Sequence, residues 1–104
     1  MIHFVGAGCS AADLITLRGA KLLREADVVI YAGSLVNPAL LDYAKLDCQI
    51  HNSAKMTLDQ VIAVMSQAEA ANKTTVRLHT GDPSVYGAIR EQMDALDALG
   101  ISYD

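Results

Sequence analysis

Hydrophobic and polar residues follow two periods along the chain, one typical of strands and one typical of amphipathic helices. Four short runs have the composition of strands in a parallel sheet, where both faces are buried and apolar residues need not alternate with polar ones. They are Ile2–Val5, Val28–Tyr31, the weaker run Gln49–His51, and Thr75–Thr80. Ile101–Asp104 begins like a further strand, so the pattern predicts a five-stranded sheet.

Apolar residues at helical spacing fill the segments between these runs. The pattern predicts a helix over residues 16–26 and a short one that begins at Asn37 and Pro38. Thr57–Gln60 matches a capping box and opens a longer helix, and a last helix ends at Gly100. The predicted buried stripes of these two helices are Leu58, Val61, Ile62, Met65 and Ala68, then Val85, Ile89, Met93, Leu96 and Leu99.

Strands that alternate with helices predict a three-layer α/β/α architecture with a mostly parallel sheet and right-handed crossovers. The 104 residues are enough for one domain, residues 1–104, and leave no room for a second. Because the fifth strand only begins at Ile101, we expect this domain to be truncated.

Composition narrows the class of function. The net charge is −4, and the eight Lys and Arg residues are scattered, which disfavours nucleic acid as a partner. Cys9 and Cys48 fit neither a disulfide framework nor a metal-ligand spacing, so we expect no metal. No apolar run is long enough to span a bilayer and no leader segment is evident, which predicts a soluble, cytoplasmic protein with no membrane partner.

Two strand-to-helix turns carry the candidate chemistry, because ligands of parallel sheets bind at the carboxyl ends of strands. Gly6-x-Gly8-x-x-Ala11 passes a loose dinucleotide-binding fingerprint. The second strand ends at Tyr31 without the acidic residue that would hold a ribose, which disfavours a nicotinamide cofactor, and no P-loop lysine follows either turn. A non-catalytic nucleotide-binding module remains an alternative.

The second turn contains Gly81 and Asp82, followed by a proline. Asp82 has the sequence position of a helix cap, so capping and ligand binding are both open. Cys9 and His79 stand where the nucleophile and base of a cysteine hydrolase could lie. A small thiol that fills a tight turn and a histidine that ends a strand explain the same residues more simply.

Four runs along the chain resemble one known family. Phe4–Gly8, Leu14–Gly19, Ala26–Pro38 and Arg77–Gln92 together are similar to the tetrapyrrole (corrin/porphyrin) methylases. Within that family, Tyr31–Asn37 and Tyr86–Gln92 resemble the cobalamin-pathway branch that methylates C11 of precorrin-4 or cobalt-precorrin-4. The resemblance covers the whole chain in order.

This resemblance implies S-adenosylmethionine as methyl donor, a corrinoid small-molecule substrate, and a two-domain homodimer of which this chain is the amino-terminal domain. The donor would lie in the cleft between domains, and no catalytic residue is identified. Cys9 stands where the family usually has proline. The donor residues implied are Gly6, Gly8, Cys9, Thr80, Gly81, Asp82 and Val85. Ser34 and Tyr86, at the ends of the second strand and of the second glycine turn, are candidates for lining the substrate site.

Overall fold

Four parallel strands form the centre of the computed structural model. They are β1 (Ile2–Gly6), β2 (Val28–Tyr31), β3 (Gln49–Asn52) and β4 (Thr75–His79). The structure describes residues 1–6, 17–31, 38–79 and 86–104. Over these residues the strand order is β1-β4-β2-β3, and every pair of neighbours runs parallel. The parallel α/β sheet predicted from the sequence is confirmed.

The strand count differs from the prediction, because the described residues form four strands rather than five. Tyr103 makes a single parallel bridge to Ile2, on the free edge of β1. Phe4 N–H donates to the Asp104 carbonyl and Asp104 N–H donates to the Ile2 carbonyl, each at 3.0 Å. Residues 101–104 thus lie where a fifth strand was predicted, but two backbone hydrogen bonds are too few to make one.

Helices cover both faces of the sheet. They are α1 (Leu17–Glu25), α2 (Leu58–Ala70) and α3 (Tyr86–Ala98), with two 3₁₀ helices at Pro38–Tyr43 and Ser53–Lys55. On one face, α1 and the first 3₁₀ helix bury a cluster of Val5, Ala20, Leu23, Ala26, Val29, Leu40, Val76 and Leu78. On the other face, α2 and α3 bury Ile2, Val28, Ile30, Val61, Ile62, Met65, Ala68 and Leu96. The three-layer α/β/α architecture is therefore confirmed.

The ends of α2 and α3 are fixed by local hydrogen bonds that the sequence predicts. Thr57 Oγ1 accepts from Gln60 N–H, and Gln60 Oε1 accepts from Thr57 N–H, which completes the predicted capping box. Gly100 follows α3 with φ of +70°, and Ile101 N–H donates back to the Leu96 carbonyl at 3.0 Å. Gly100 thus ends α3 in a Schellman motif, as predicted.

Two predicted stripe residues are exposed, and Met93 is only partly buried. Leu58 is 38% exposed and Leu99 is 58% exposed, whereas Met65 and Leu96 are fully buried. Leu58 is the first residue of α2, and Leu99 lies just beyond the last residue of α3. The helical period selects the right face, but at a helix end the element beneath no longer covers it.

Candidate functional site

The carboxyl ends of the strands meet at one edge of the sheet. Gly6 is the register partner of His79, and Tyr31 is the register partner of both Leu78 and Asn52. Since the strands are parallel, the carboxyl ends of β1 and β4 lie side by side. Open α/β sheets bind ligands at this edge, which we call the strand-end site.

Gly6 leaves room for a small group beside His79 among the described residues. A methyl group added to Gly6 would meet His79 Cε1 at 3.9 Å, an ordinary van der Waals distance, and nothing else among the described residues within 4 Å. A side chain larger than alanine would occupy that space. Glycine at this position therefore keeps the strand end accessible to a ligand that approaches the backbone closely.

A second open space adjoins the same strand. A cavity of about 210 Å³ lies between β1 and α1, and it is lined by Phe4, Val5, Gly6, Arg18, Gly19 and Leu22. Asp104 hydrogen-bonds His3 Nδ1 at 2.7 Å and accepts from Arg18 Nη2 at 3.3 Å. The hydrogen bond with His3, together with the charge of Arg18, lowers the pKa of the Asp104 carboxyl group. This cavity continues the strand-end site towards α1.

A buried arginine, Arg77, forms hydrogen bonds that connect the carboxyl ends of β2 and β4. Arg77, on β4, is only 4% exposed. Its Nε donates to Gln92 Oε1 of α3 at 3.0 Å, and its Nη1 donates to the carbonyls of Ile30 at 3.3 Å and Leu78 at 3.2 Å. Its Nη2 donates to Ser53 Oγ at 3.0 Å. One guanidinium thus joins β2, β4, α3 and the second 3₁₀ helix.

Ser53 extends this arrangement to the last residue of β2. Its hydroxyl donates to the Tyr31 carbonyl at 2.9 Å while its oxygen accepts from Arg77. Asn52 Oδ1 accepts from Ala54 N–H at 2.9 Å and caps the 3₁₀ helix that contains Ser53. The hydrogen bonds therefore run without a break from α3, through the guanidinium, to the end of β2.

The charge of Arg77 is not balanced by any carboxylate within ion-pair distance in the described part of the chain. Burial lowers the pKa of the guanidinium to about 10, so it stays protonated at neutral pH. Its acceptors are two carbonyls, an amide oxygen and a hydroxyl, all of them neutral. The strand-end site is therefore built around a buried positive charge.

A separate cavity of about 230 Å³ lies at the opposite end of the sheet, between β3 and α2. His51 and Lys73 are among its lining residues. His51 Nε2 is buried and has no hydrogen-bond partner among the residues that the structure describes. Over the same ranges, no group of three or more His, Cys, Asp or Glu residues is arranged to hold a metal ion.

The predicted site residues fall mostly outside the described ranges. Gly6 is described and lies at the strand-end site, and the backbone of Tyr86 begins α3. The remaining donor and substrate residues lie outside the described residues, namely Gly8, Cys9, Ser34, Thr80, Gly81, Asp82 and Val85. Their roles stay predictions, although β1 and β4, the strands before the two glycine turns, are neighbours in the sheet.

Sequence reasoning missed Arg77, Gln92 and Ser53 as a connected group. The signal for Arg77 was present, because it is a lone cation between Val76 and Leu78 in a strand that reads as buried on both faces. A charge in that position requires internal hydrogen-bond partners. The partners themselves lie 15 and 24 residues away along the chain, and no local pattern identifies them.

An open parallel sheet between two helical layers places the chain in the class of α/β folds that bind ligands at the carboxyl ends of their strands. Within that class, the family model for tetrapyrrole (corrin/porphyrin) methylases matches residues 1–104. The chain belongs to this family, as its sequence motifs indicated. Within the ranges that the structure describes, no helix has the length and apolarity that a membrane crossing needs.

Named relatives narrow the comparison. The chain is 55% identical over 103 residues to a cobalt-precorrin-4 C(11)-methyltransferase of Methanocaldococcus jannaschii, a match that covers 99% of this chain and 40% of that protein. A solved cobalt precorrin-4 methyltransferase, described as a cobalamin biosynthetic enzyme, superposes with a TM-score of 0.91 at 42% identity, covering 99% of this chain and 43% of that one.

A uroporphyrin-III C-methyl transferase from Thermus thermophilus, solved in complex with S-adenosylhomocysteine, superposes with a TM-score of 0.77 at 28% identity. That match covers 99% of this chain and 42% of the Thermus protein. This chain therefore spans about two fifths of the length of the relatives that it matches.

Proposed function

We propose that this chain is the amino-terminal, donor-binding part of a C11-methyltransferase that acts on cobalt-precorrin-4 or precorrin-4 in cobalamin biosynthesis. The observation that supports this most strongly is 55% identity, across 99% of the chain, to a protein named for that activity. The TM-score of 0.91, at 42% identity, to a solved cobalt precorrin-4 methyltransferase supports the same assignment.

S-adenosylmethionine is the proposed donor, and it would supply an activated methyl group on a sulfonium centre. The strand-end site suits such a molecule, because its ribose, adenine and amino-acid groups can be held by backbone polar atoms at glycine turns without a phosphate-binding lysine. Gly6, with room for a small group beside His79, is the described part of this proposed site. Gly8, Cys9, Thr80, Gly81, Asp82 and Val85 complete the proposed donor contacts.

The protein's part in the reaction is positioning. Methyl transfer from a sulfonium disperses charge rather than creating it, so alignment of donor and acceptor can contribute about 7 to 11 kcal/mol towards the barrier. Ser34 and Tyr86 are proposed to line the corrinoid site, since Ser34 belongs to the segment that follows β2 and Tyr86 is the first residue of α3. We assign no general base for the corrinoid proton.

The proposal includes a second domain and a homodimer, both implied by the family resemblance. If the donor lies between two domains, this chain alone lacks part of its contacts. A loss of about 2.8 kcal/mol in binding free energy weakens affinity about a hundredfold. The chain alone is therefore expected to fold, to bind the donor weakly and to show no turnover.

Thermal unfolding of the chain with added ligands tests the donor class first. We expect S-adenosylhomocysteine at millimolar concentration to raise the melting temperature, and NAD and ATP to leave it unchanged. A ligand that binds only the folded state stabilises it by mass action, so even weak binding becomes visible at high concentration. A shift with NAD and none with S-adenosylhomocysteine would favour the non-catalytic nucleotide-binding module instead.

Activity is tested with a chimera, because the chain spans only part of its relatives. The chain replaces the matching 103 residues of the Methanocaldococcus jannaschii protein, and methyl transfer to cobalt-precorrin-4 is measured beside calorimetric titration with S-adenosylhomocysteine. We expect turnover by the chimera and none by the chain alone. Turnover or sub-micromolar affinity in the chain alone would show that the missing-domain argument is wrong, and an inactive but folded chimera would contradict the proposed activity.

A further inference from the structure

We propose that Arg77 is a positioning residue that fixes both the donor side and the substrate side of the site. This inference rests on the proposed function for the identity of the two sides. Its structural basis is the described hydrogen-bond network, in which one guanidinium reaches four elements of the fold.

Residues of this network lie in the chain next to residues 32–37 and 80–85, the segments that contain most of the proposed ligand contacts. Arg77 lies on β4 just before residues 80–85, and Gln92 lies on α3 just after them. The Arg77–Gln92 hydrogen bond therefore sets the distance between the two elements from which this segment enters and leaves. The same guanidinium binds the Ile30 carbonyl directly and the Tyr31 carbonyl through Ser53, immediately before residues 32–37.

The chemical choice of residue supports a positioning role over a purely structural one. A buried charge costs desolvation free energy, and well-packed apolar residues of similar volume often give equal or greater stability. Arg77 has no carboxylate partner among the described residues to offset that cost. What the guanidinium provides is a rigid planar set of donors that fixes several acceptors at defined angles, which apolar packing does not provide.

The alternation of side chains along β4 places the network next to the open strand end. Arg77 and His79 lie on the same face of the sheet, because successive residues of a strand point to opposite faces. His79 is the register partner of Gly6, and its Cε1 lies 3.9 Å from the position of a methyl group added to Gly6. Because His79 is only two residues from Arg77 on the same strand, loss of the Arg77 hydrogen bonds is expected to shift the position of His79 as well.

The test uses isotope-labelled chain and two readouts, amide hydrogen exchange without ligand and the dissociation constant for S-adenosylhomocysteine from NMR titration. The variants are Arg77→Lys, which keeps the charge but loses the planar fork, Gln92→Leu, which removes the bond to α3, and Ser53→Ala, which removes the link to Tyr31. Leu23→Val is the control, because Leu23 is fully buried in the core on the opposite face of the sheet.

We expect at least tenfold weaker binding in Arg77→Lys and a smaller, several-fold loss in Gln92→Leu and Ser53→Ala. The amides of Tyr31 and His79 are expected to exchange at least tenfold faster in Arg77→Lys. Leu23→Val should lower the melting temperature yet change the dissociation constant less than twofold, because general destabilisation of a folded chain leaves the strand ends in place.

Unchanged affinity and unchanged exchange in the three network variants would overturn the inference, as would an equal loss of affinity in Leu23→Val. The exchange readout separates this failure from that of the proposed function. If the unaltered chain binds no S-adenosylhomocysteine at millimolar concentration, the donor proposal fails. In that case the exchange readout by itself still tests the positioning role, and faster exchange of the Tyr31 and His79 amides in Arg77→Lys would support it.

Discussion

At the amino ends of the strands, the sheet is held by a partly exposed carboxylate, and at the carboxyl ends it is held by a buried guanidinium. Asp27 accepts from Thr74 N–H at 2.9 Å and from Lys45 Nζ at 2.7 Å, and its backbone carbonyl accepts from Gln49 N–H. Arg77 instead donates only to neutral groups in the described residues and is almost fully buried.

This comparison indicates that the Asp27 contacts serve the stability of the sheet, whereas the Arg77 contacts serve the geometry of the proposed site. The contact of Asp27 with Lys45 balances charge with charge between two partly solvated side chains, so it costs little to form. The contacts of Arg77 place a charge in the core, which is an expensive way to join four elements. A protein that needed only a stable sheet could use the first kind of contact at both ends. The second kind occurs at the end where the proposed ligands bind.

Removal of the guanidinium is expected to have the largest effect on stability. Arg77→Met leaves Gln92, Ser53 and two carbonyls without their partner, and unsatisfied buried polar groups cost about 1–3 kcal/mol each. Relief of the buried charge offsets part of this, so we expect the free energy of unfolding to fall by about 2–4 kcal/mol. Urea denaturation measures it.

The matched control is Arg18→Met, because the Arg18 side chain is 74% exposed. It should change the free energy of unfolding by less than about 0.5 kcal/mol. The triple variant Arg77→Met, Gln92→Leu, Ser53→Ala should recover part of the lost stability, since it removes the side-chain groups left unpaired. If Arg77→Met is as mild as Arg18→Met, the two ends of the sheet do not differ as described.

Substitution of Gly100, in the turn after α3 at the amino-end side of the sheet, should have an intermediate effect on the free energy of unfolding. Gly100 has φ of +70°, and a Cβ added there would meet no atom of the described residues within 4 Å. Gly100→Ala therefore adds no clash but forces a left-handed conformation on an L-residue, which costs about 1–2 kcal/mol. Asn72→Gly, at φ of 61° after α2, is the control and should be neutral or slightly stabilising. Equal unfolding midpoints for the two variants would contradict the backbone explanation.

Asp27→Asn should have the smallest effect on the free energy of unfolding, and the size of that effect should depend on pH. The hydrogen bond from Lys45, and then that from Thr74, lower the pKa of this carboxyl group below its usual value. Its contribution to stability is therefore fully present above the unfolded-state pKa of about 3.9 and is lost as pH falls through the lower folded-state value. In Asp27→Asn that contribution is absent at every pH.

Urea denaturation across acidic pH measures this difference. The free energy of unfolding should fall less steeply below about pH 4 in Asp27→Asn than in the unaltered chain. Asp104, whose pKa is also lowered, should leave a residual slope in both. Asp42→Asn, on the exposed side of the first 3₁₀ helix, is the control for removal of one carboxylate, and its curve is compared with that of Asp27→Asn. Parallel curves for Asp27→Asn and the unaltered chain would show that the amino-end contact contributes nothing.

The sequence predicted those parts of the fold that depend on local physical chemistry. The stripe of Val61, Ile62, Met65 and Ala68 is buried because a 3.6-residue period aligns it on one face of α2. The capping of α2 by Thr57 follows from hydrogen bonds within one turn. Parallel strands at neighbouring positions likewise follow from the alternation of strands and helices.

The site's supporting network could not be predicted in the same way. Ser53 reaches Tyr31 and Arg77 only because β2 lies between β3 and β4 in the sheet, and that order is not encoded in any local pattern. The same holds for Gln92, which reaches Arg77 because α3 packs over β4. The sequence located the strand ends, whereas the contacts that hold them depend on the assembled sheet.

The most direct test of the account is to map where the donor's product form binds on this chain. S-adenosylhomocysteine is titrated into the ¹⁵N-labelled chain to millimolar concentration, and the backbone amide shifts are followed. The account predicts the largest changes at Gly6, Tyr31 and His79, at the carboxyl ends, with Gln49 and Thr74 unchanged at the amino ends. Changes centred on Gln49 and Thr74, or none at all at millimolar ligand, would contradict it.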